Sequence, residues 1–483
     1  MAQGELAGSL RRCLGLVRAR LSQRGIRASD TGPTASSGSA RVAVIVPVFN
    51  AMPYLGELLD SLAAQDLDPE HFEVILVDDG STDGGPQLMD RFAAAHPGTR
   101  VIRQRNSGWP GQPRNRGLAA TEADYVFFAD AGDMLASHAL RSMLDYAQLH
   151  PADMVLPRIA GLNGRPVNRT LLAKNNPKAE LREVFATLAP QKLIRRALIE
   201  RLELRFPEGR VRLEDGIFIT ACYLAAERTA VLADDDYYFL RARQDANNIS
   251  ARKADPEGCT RSVARIAEQV RAARLPADLE QGMVRELYRR KILRTYRPGR
   301  WLGMGRWRRR SWLRAHAGFV ARFIPGQLES RLGFPHRQRS AALRTGDARR
   351  MQAWALLEQL LAAHWTVRQD RQGGQAAGVP HFVPAGPPPQ LAELILRPRH
   401  GGADAALPLR PAADAFALHG GQELQPLAPD IYDVYVQASH RQVQGEPRRV
   451  RVGRRDWAGH RFYATVKGYL SLDARPRDGQ AVA

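Results

Sequence analysis

The chain has 483 residues, of which 44% are hydrophobic and 25% are charged, a composition that is typical of folded proteins and excludes a largely disordered chain. Its length predicts about two to four domains. The sequence shows neither a secretory signal nor an apolar run of about 18 residues. We therefore expect a cytoplasmic protein without a spanning helix, and peripheral contact with the inner face of the cell membrane stays open.

The formal net charge is +20 at pH 7, which predicts an anionic partner. Nucleic acid, an anionic membrane surface and a polyanionic substrate all fit, and a GC-rich genome that favours Arg over Lys is a further explanation. We expect no nucleic acid, because the basic residues are not interleaved with aromatic residues in a stacking platform. Three tryptophans do lie among the arginines, and packing of helices or contact with a membrane surface explains them better: Trp301, Trp307 and Trp312.

Residues 1–40 predict a basic arm and a linker. Five apolar residues fall on one helical stripe, with arginines elsewhere: Leu6, Leu10, Leu14, Val17 and Leu21. Such a helix could lie on a membrane surface, and a poorly ordered arm fits the same residues. The Gly, Ser and Thr residues of 29–40 predict a linker.

Residues 41–255 alternate between short apolar runs and amphipathic helices. Strands are predicted at 42–46, 72–77, 101–103 and 125–128, and helices at 54–62, 84–95 and 112–120. This alternation indicates βαβ units, and hence a doubly wound α/β domain with a parallel sheet. The spacing then becomes less regular, and residues 231–241 predict a closing strand.

The rest of the sequence predicts a helical region, a linker and a small β domain. Residues 256–372 contain periodic Leu, Ile and Trp among many arginines, and Val284–Arg314 holds twelve Lys or Arg against one Glu. The Gly and Pro residues of 373–389 predict a linker. Residues 390–475 predict an all-β sandwich from these short alternating segments: 391–396, 415–418, 431–438, 448–452 and 462–472.

Carboxylates follow two of the predicted strands. Asp78 and Asp79 could accept hydrogen bonds from a pyrimidine base or a ribose, or they could cap the next helix. Asp130 and Asp133 could hold a divalent cation that neutralises a diphosphate leaving group, although Asp133 could instead cap a helix that begins near Ser137. Because ligands of open α/β sheets bind beyond the C-terminal strand ends, this pattern predicts a nucleotide site.

Two further segments contain candidate site residues. The loop Asn106–Asn115 (NSGWPGQPRN) ends with Arg114 and Asn115, which at a helix start could meet phosphate or ribose. Glu214 and Asp215 could supply a base that deprotonates an attacking hydroxyl. An acidic pair that opens a helix is also a common cap.

Four motifs, in this order and spacing, resemble the GT-A family of nucleotide-sugar glycosyltransferases, family 2: VIVPVFN, VILVDDGSTD, NSGWPGQPRN and FFADAGDML. The loop motif, the segment Ala189–Arg196, the turn Phe206–Glu208 and the Glu214-Asp215 pair are more specifically similar to the wall teichoic acid β-N-acetylglucosaminyltransferases of Gram-positive bacteria. The resemblance covers about residues 42–360. It implies a GT-A, Rossmann-like α/β domain, followed by the helical segment and the C-terminal sandwich.

The resemblance implies roles for individual residues. Asp215 becomes the catalytic base, and Glu214 supports it or binds the donor sugar. A divalent metal, Mn²⁺ or Mg²⁺, is expected at Asp130, with Asp133 as a second ligand. The residues expected to bind the nucleotide sugar are Pro47, Phe49, Asn50, Asp78, Asn106, Arg114 and Asp130.

The resemblance also implies a reaction. A hexose or N-acetylhexosamine would pass from a UDP-sugar to a hydroxyl of an anionic, teichoic-acid-like cell-wall polymer. Single displacement would invert the anomeric centre and give a β-glycoside. The clustered arginines would attract the polymer by a salt-dependent field. Transfer to another wall or capsular polysaccharide, or to a lipid acceptor, stays open.

The sequence departs from the family pattern at Gly132, where the second metal-binding Asp usually stands. This leaves open a catalytically weakened protein that only binds polymer. In the segment 243–248, Asn248 stands where relatives often have His. The C-terminal segments resemble β domains of wall-polymer transferases from high-GC Gram-positive bacteria, for which oligomerisation or polymer contact is the expected role.

Overall fold

A computed structural model describes residues 41–167, 173–242 and 254–362. It also describes 365–368, 371–372, 375–376, 381–384, 391–412, 415–417, 430–440, 443–444, 448–450, 462–464 and 470–473. The predicted arm at 1–40 and the departure at 243–248 lie outside these residues. The chain divides into two compact units, Met1–Leu287 and Tyr288–Ala483. Within the described ranges, no helix has the length and apolar character needed to cross a membrane.

The first unit contains ten strands among the described residues. They are β1 (Val42–Val48), β2 (Phe72–Asp78), β3 (Thr99–Arg103), β4 (Tyr125–Phe128), β5 (Met134–Leu135), β6 (Met154–Pro157), β7 (Ile159–Leu162), β8 (Leu193–Arg195), β9 (Thr229–Leu232) and β10 (Tyr238–Arg241). Seven of them form one sheet in the order β3-β2-β1-β4-β8-β6-β9. The strands β1 to β4 are parallel to one another, as predicted, whereas β8 is antiparallel to both of its neighbours.

The helices of the first unit are α1 (Leu55–Ala63), α2 (Gly85–Ala95), α3 (Gly111–Leu118), α4 (Ala139–Leu149), α5 (Leu181–Val184), α6 (Arg196–Arg201), α7 (Glu214–Ala225), α8 (Pro256–Ala272) and α9 (Ala277–Leu287), with a 3₁₀ turn at Pro69–His71. The predicted α/β alternation is confirmed, with shifts of one or two residues at most element ends. Helix α1 buries Leu55, Leu58, Leu59 and Leu62, the stripe that its period predicts.

The expectation of one closing strand at 231–241 is wrong. Strand β9 ends at Leu232 and pairs with β6, whereas β10 begins at Tyr238 and joins β5 and β7 in a separate three-stranded sheet. Three consecutive aspartates lie between them, and Asp is a poor strand former that favours turns. The turn is held by Tyr237, whose hydroxyl donates to Asp234 at 2.7 Å, and by Arg158, which donates to Asp236 at 2.7 Å.

Two glycines let α3 lie close to its neighbours. A Cβ on Gly117 would lie 2.3 Å from Cγ2 of Ile45 in β1, and one on Gly111 would lie 2.2 Å from the carbonyl oxygen of Pro207. Helix α3 can therefore approach both the sheet and the segment around Pro207. This close approach places Arg114, on the same helix, beside the C-terminal edge of the sheet.

The second unit begins with a π turn at Tyr288–Ile292 and a 3₁₀ turn at Leu293–Tyr296. Its helices are α10 (Pro298–Trp301), α11 (Arg306–Phe323), α12 (Gly326–Ser330), α13 (His336–Arg344) and α14 (Ala348–Ala362). The predicted helical character is confirmed as far as Ala362. Because the compact units divide after Leu287, α8 and α9 belong to the first unit, and the predicted domain boundaries stay a prediction.

The described strands of the second unit form antiparallel pairs. They are β11 (Trp365–Arg368), β12 (Arg371–Gln372), β13 (Gln375–Ala376), β14 (His381–Pro384), β15 (Leu391–Pro398), β16 (Ala405–Ala412), β17 (Ala415–Ala417), β18 (Ile431–His440), β19 (Val443–Gln444), β20 (Arg448–Arg449), β21 (Phe462–Ala464) and β22 (Leu470–Asp473). The main sheet has the order β11-β14-β17-β16-β15-β18-β22-β21, which confirms an antiparallel β region. The predicted segment 462–472 is two strands, since β21 and β22 pair with each other.

Candidate active site

The loops after β1 and β2 hold each other at the C-terminal edge of the sheet. Asn50 adopts a left-handed conformation (φ 45°), and its Oδ1 accepts a hydrogen bond from the Thr82 backbone N–H at 2.8 Å. The Asn50 N–H donates to Ser81 Oγ at 3.1 Å, and Oδ1 of Asp78 accepts from the Ser81 N–H at 2.9 Å. Asn50 and Asp78, both predicted to bind the nucleotide, thus shape one rim of the crevice.

The other two residues predicted from the first motif lie on the same rim. Pro47 is half-buried in β1 opposite Val77, and Phe49 follows the strand with 41% of its surface exposed. An exposed aromatic ring at a strand end can stack on a base. The structure therefore offers Phe49 to a ligand and leaves Pro47 as part of the strand.

Asp79 anchors the loop that begins at Asn106. Its Oδ1 accepts from the Ser107 N–H at 2.9 Å, and its Oδ2 accepts from Ser107 Oγ at 2.9 Å. The side chain of Asn106 donates to the Asp79 carbonyl at 2.9 Å. The alternative that Asp78 or Asp79 caps the next helix is wrong, because Gly84 is the N-cap residue of α2.

Arg114 is the centre of a buried charge network. Only 4% of the residue is exposed. Its two terminal nitrogens donate to Oε1 of Glu214 at 3.0 Å and to Oδ1 of Asp130 at 2.9 Å. Burial alone would lower the pKa of Arg114, but the two carboxylates outweigh it and raise the pKa above its ordinary value. Arg114 therefore stays charged and links the strand-end carboxylate to the start of α7.

Glu214 and Asp215 have different surroundings, although they are adjacent. Glu214 is buried, and its Oε2 accepts from the indole N–H of Trp109 at 2.9 Å, so both of its oxygens are engaged. Burial and the neighbouring Asp215 raise the pKa of Glu214, and Arg114 opposes them. Asp215 is half-buried, and its Oδ1 accepts from the Gly216 N–H at 2.7 Å. Neither is the N-cap of α7, because that position is Leu213.

Asp130 and Asp133 also differ. Asp130 keeps 44% of its side chain exposed, and its Oδ2 accepts from the Gln191 amide at 2.9 Å. Asp133 is buried, and its oxygens accept from the Tyr238 hydroxyl at 3.0 Å and from the Arg241 N–H at 2.9 Å. Burial and nearby Asp130 raise the pKa of Asp133 to about 7. The alternative that Asp133 caps a helix is wrong, because α4 starts at Ala139 with His138 as N-cap.

The contacts of Asp130, Gly132 and Asp133 show how far these residues fit a divalent metal. Gly132 offers only its carbonyl, which accepts from Arg241 Nε at 3.0 Å. Among the residues that the structure describes, no group of three or more His, Cys, Asp or Glu could hold a metal ion. The half-buried Asp130 fits a cation whose other ligands are phosphate oxygens and water. The ligand role predicted for Asp133 stays a prediction, and each of its oxygens already accepts a hydrogen bond from the protein.

Asn115 does not face a ligand, contrary to expectation. Its amide donates to the Phe206 carbonyl at 2.9 Å and to Glu208 at 2.9 Å, and its Oδ1 accepts from the Phe206 N–H at 2.8 Å. Asn115 is also buried, so it positions the turn that precedes α7. The one sequence signal against a ligand role was the position of Asn115 next to Arg114 on the same short helix, because adjacent helical side chains do not face the same way.

Sequence reasoning did not single out Trp109, Gln191 or Lys192, although all three lie in quoted motifs. Lys192 is fully buried, its Nζ donates to the Ala189 carbonyl, and it lies 5.9 Å from the ring centroid of Tyr223. Burial lowers the pKa of Lys192 to about 7, and Asp215 opposes this shift. A polar pair directly before a buried strand was the signal that could have found Gln191 and Lys192.

Comparison with known proteins finds family models that match two parts of the chain. Residues 43–219 match the model for glycosyl transferase family 2, and residues 256–355 match the model for the glycosyl transferase TarS linker domain. Residues 43–219 are thus similar to family 2 glycosyltransferases. The predicted resemblance to family 2 is thereby confirmed for residues 43–219.

Two curated relatives of this part of the chain carry the name of the same polymer, poly(ribitol-phosphate). A poly(ribitol-phosphate) beta-glucosyltransferase of Bacillus spizizenii is 32% identical over 244 residues, 50% of this chain and 38% of the relative. The poly(ribitol-phosphate) beta-N-acetylglucosaminyltransferase TarS of Staphylococcus aureus is 34% identical over 243 residues, 50% of this chain and 42% of the relative. The chain thus spans about two fifths of the length of these relatives.

A solved structure confirms the fold. The crystal structure of S. aureus TarS 1-349 in complex with UDP-GlcNAc superposes with a TM-score of 0.61 and 26% identity, over 71% of this chain and 96% of that one. The predicted GT-A fold is confirmed for the glycosyltransferase domain. The expected high-GC Gram-positive origin and the metal dependence stay predictions, since the relatives above come from Bacillus and Staphylococcus.

Proposed function

We propose that the protein is an inverting glycosyltransferase that moves a hexose or N-acetylhexosamine from a UDP-sugar to a hydroxyl of an anionic, poly(ribitol-phosphate)-like polymer. The observation that carries the proposal is the chain of contacts from Asp130 through Arg114 to Glu214, which ends next to Asp215. This chain connects the strand-end edge, where a nucleotide would bind, with the carboxylate that would act on the acceptor. The names of the relatives support the UDP-sugar and the polymer.

The surroundings of the acidic pair favour Asp215 as the base. A base needs an oxygen that can reach the acceptor hydroxyl, and Glu214 has both oxygens bound by Trp109 and Arg114. Half-buried Asp215 has its Oδ2 for that role. As the acceptor oxygen bonds to the anomeric carbon, its proton would pass to Asp215, and the bond from that carbon to the diphosphate would break with inversion.

A divalent cation would bind at Asp130 in this proposal. When bound, it would neutralise charge that develops on the leaving diphosphate. Gln191 and Arg114 orient the two oxygens of Asp130, so the carboxylate is held in one direction before a donor arrives. Asp133 would instead have a structural role, because it accepts hydrogen bonds from the Tyr238 hydroxyl and from the Arg241 backbone N–H.

The decisive experiment measures UDP release from UDP-GlcNAc, UDP-glucose, UDP-galactose and UDP-GalNAc, with and without poly(ribitol phosphate). We expect release from one donor that depends on the polymer and is abolished by Asp215→Asn. Thermal shift with the same donors reports binding separately, since a ligand of the folded state raises Tm. Polymer-dependent release that is unchanged in Asp215→Asn would exclude Asp215 as the base.

Gly132 keeps a second candidate function open, a protein that binds polymer without transferring sugar. A protein of this second kind should bind poly(ribitol phosphate) whether or not a donor is present. It should release no UDP at any concentration of Mn²⁺ or Mg²⁺. Under the main proposal, Asp130→Asn raises the metal concentration needed for release, whereas Asp133→Asn lowers Tm and leaves that concentration unchanged. Homo-oligomerisation, or polymer contact by the C-terminal sheet, stays a prediction.

A further inference from the structure

The second unit begins with a long stretch of sequence that has no carboxylate. Between Glu286 and Glu329 there is no Asp or Glu, while Arg and Lys recur throughout, most densely at the start of α11. Repulsion among these cations can be relieved by an anionic partner. Helix α11, which spans Arg306–Phe323, is the longest helix in this stretch.

Helix α11 separates an apolar face from a basic one. Its buried residues are Trp312, Leu313, His316, Phe319, Val320 and Phe323, which pack inside the second unit. The exposed residues in its first half recur on another face at helical spacing: Arg306, Trp307, Arg310, Ser311 and Arg314. The packing face of α11 is therefore already used, and the basic face points to solvent.

Trp307 is the exception on this basic face. Its exposed fraction is 71%, whereas Trp301 and Trp312, the other tryptophans in the arginine-rich stretch, are buried. The guanidinium carbons of Arg306 and Arg310 lie 5.2 and 5.6 Å from the Trp307 ring centroid. Packing of helices thus explains Trp301 and Trp312 but not Trp307, which has an arginine on each side and no part in the core.

We propose that the surface formed by Arg306, Trp307, Arg310 and Arg314, here called the Trp307 patch, binds the surface of an anionic lipid bilayer. The arginines would meet lipid phosphates, and the indole would enter the headgroup region, where tryptophan is favoured because its ring is amphipathic. Polybasic segments with an aromatic anchor bind anionic membranes by these two contributions together.

A soluble polyanion explains less of the Trp307 patch. A hydrated polyol-phosphate chain could pair with the arginines, but it offers no apolar layer in which the exposed indole could be buried. A bilayer uses both the charge and the ring. This inference does not rest on the proposed function, because no residue of the patch belongs to the candidate active site.

The test is sedimentation of the full chain with vesicles of phosphatidylcholine, with or without phosphatidylglycerol. We expect binding only to the anionic vesicles, weakened by salt. Trp307→Ala should weaken binding on the order of tenfold, through lost apolar burial. Arg306→Gln with Arg310→Gln should weaken it by about fivefold for each arginine.

Matched controls separate the patch from general charge and hydrophobicity. Leu149→Ala removes another highly exposed apolar side chain (73%), and Arg91→Gln with Arg201→Gln removes the same charge from exposed positions of the first unit. Both controls should bind vesicles like the parent chain. Because Trp307 is exposed, its variant should keep the parent Tm, and Trp307→Phe should keep part of the binding.

Two results would overturn the inference. One is unchanged vesicle binding by Trp307→Ala and by the double arginine variant. The other is loss of poly(ribitol phosphate) binding in these variants with vesicle binding intact, which would assign the patch to the polymer. A blue shift of tryptophan emission on adding anionic vesicles, lost in Trp307→Ala, would support insertion of this ring.

Discussion

Arg114 donates to Glu214 at 3.0 Å across 100 positions of sequence, and both side chains are buried. The pair ties α3, at the end of the loop Asn106–Asn115, to the first residue of α7. Because Glu214 precedes Asp215, this contact sets where the proposed base stands. The pair therefore helps to hold the site in place, in addition to any part in its chemistry.

Arg114→Gln should destabilise the protein by about 3 kcal/mol, because it leaves Glu214 buried without its cation and Asp130 without one of its donors. Urea denaturation measures this loss. Arg91→Gln, an exposed matched control, should stay within about 0.5 kcal/mol of the parent. Equal stability of the two variants would mean that Arg114 is not required to compensate the buried carboxylates.

Substitutions of the two adjacent carboxylates should affect different measurements, UDP release for Asp215 and Tm for Glu214. Asp215→Asn should lower the rate of UDP release by about 100-fold or more, because the substitution removes the base. Tm and donor binding should stay nearly unchanged, because the side chain of Asp215 is only half-buried. Glu214→Gln should lower Tm, because one of its oxygens becomes a donor facing Arg114 or Trp109. Reversed behaviour, with activity tracking Glu214 alone, would contradict the assignment of roles.

Buried Lys192 should make stability depend on pH. Its pKa is lowered from 10.5 to about 7 in the folded chain, so between these values the unfolded chain binds a proton that the folded chain lacks. Stability should therefore rise with pH across this window, by at most about 1.4 kcal/mol per pH unit from this group. Lys192→Met should flatten the rise, as measured by denaturation at several pH values.

Lys178 provides the control for Lys192, because it is an exposed lysine of the same unit. Lys178→Met should keep the pH dependence of the parent chain. The interpretation fails if Lys192→Met and Lys178→Met show the same slope of stability against pH.

Gly117 should tolerate no side chain. Gly117→Ala places a Cβ 2.3 Å from Ile45 in the buried sheet, so we expect a loss of about 1–3 kcal/mol from overpacking. Gly318→Ala in α11 is the matched change, because nothing lies within 4 Å of its new Cβ, and better helix propensity should raise stability by about 0.5–1 kcal/mol. Thermal denaturation of both variants would test the contrast, and a stable Gly117→Ala would show that α3 can move away from β1.

The first three α/β repeats were predictable because their signals are local. A buried parallel strand is a continuous apolar run, as in Val42–Val48, and its helix repeats leucines every three or four residues, as in Leu55–Ala63. Residues 231–241 defeated the same reasoning. Their two strands have similar composition, and only their partners β6 and β7 in different sheets show that the chain turns at Asp234–Asp236.

The sequence by itself determined that carboxylates stand at the ends of β2 and β4, that a Gly- and Pro-rich loop precedes Arg114, and that arginines crowd the start of the second unit. These features depend on residues close together in the chain. Only the tertiary structure decided that Asp133 accepts a hydrogen bond from Tyr238 and that Glu214 is paired with Arg114. It also decided that, of the three arginine-flanked tryptophans, only Trp307 faces solvent. The physical reason is that a side chain's role depends on which donors and how much water reach it, and packing of distant segments sets both.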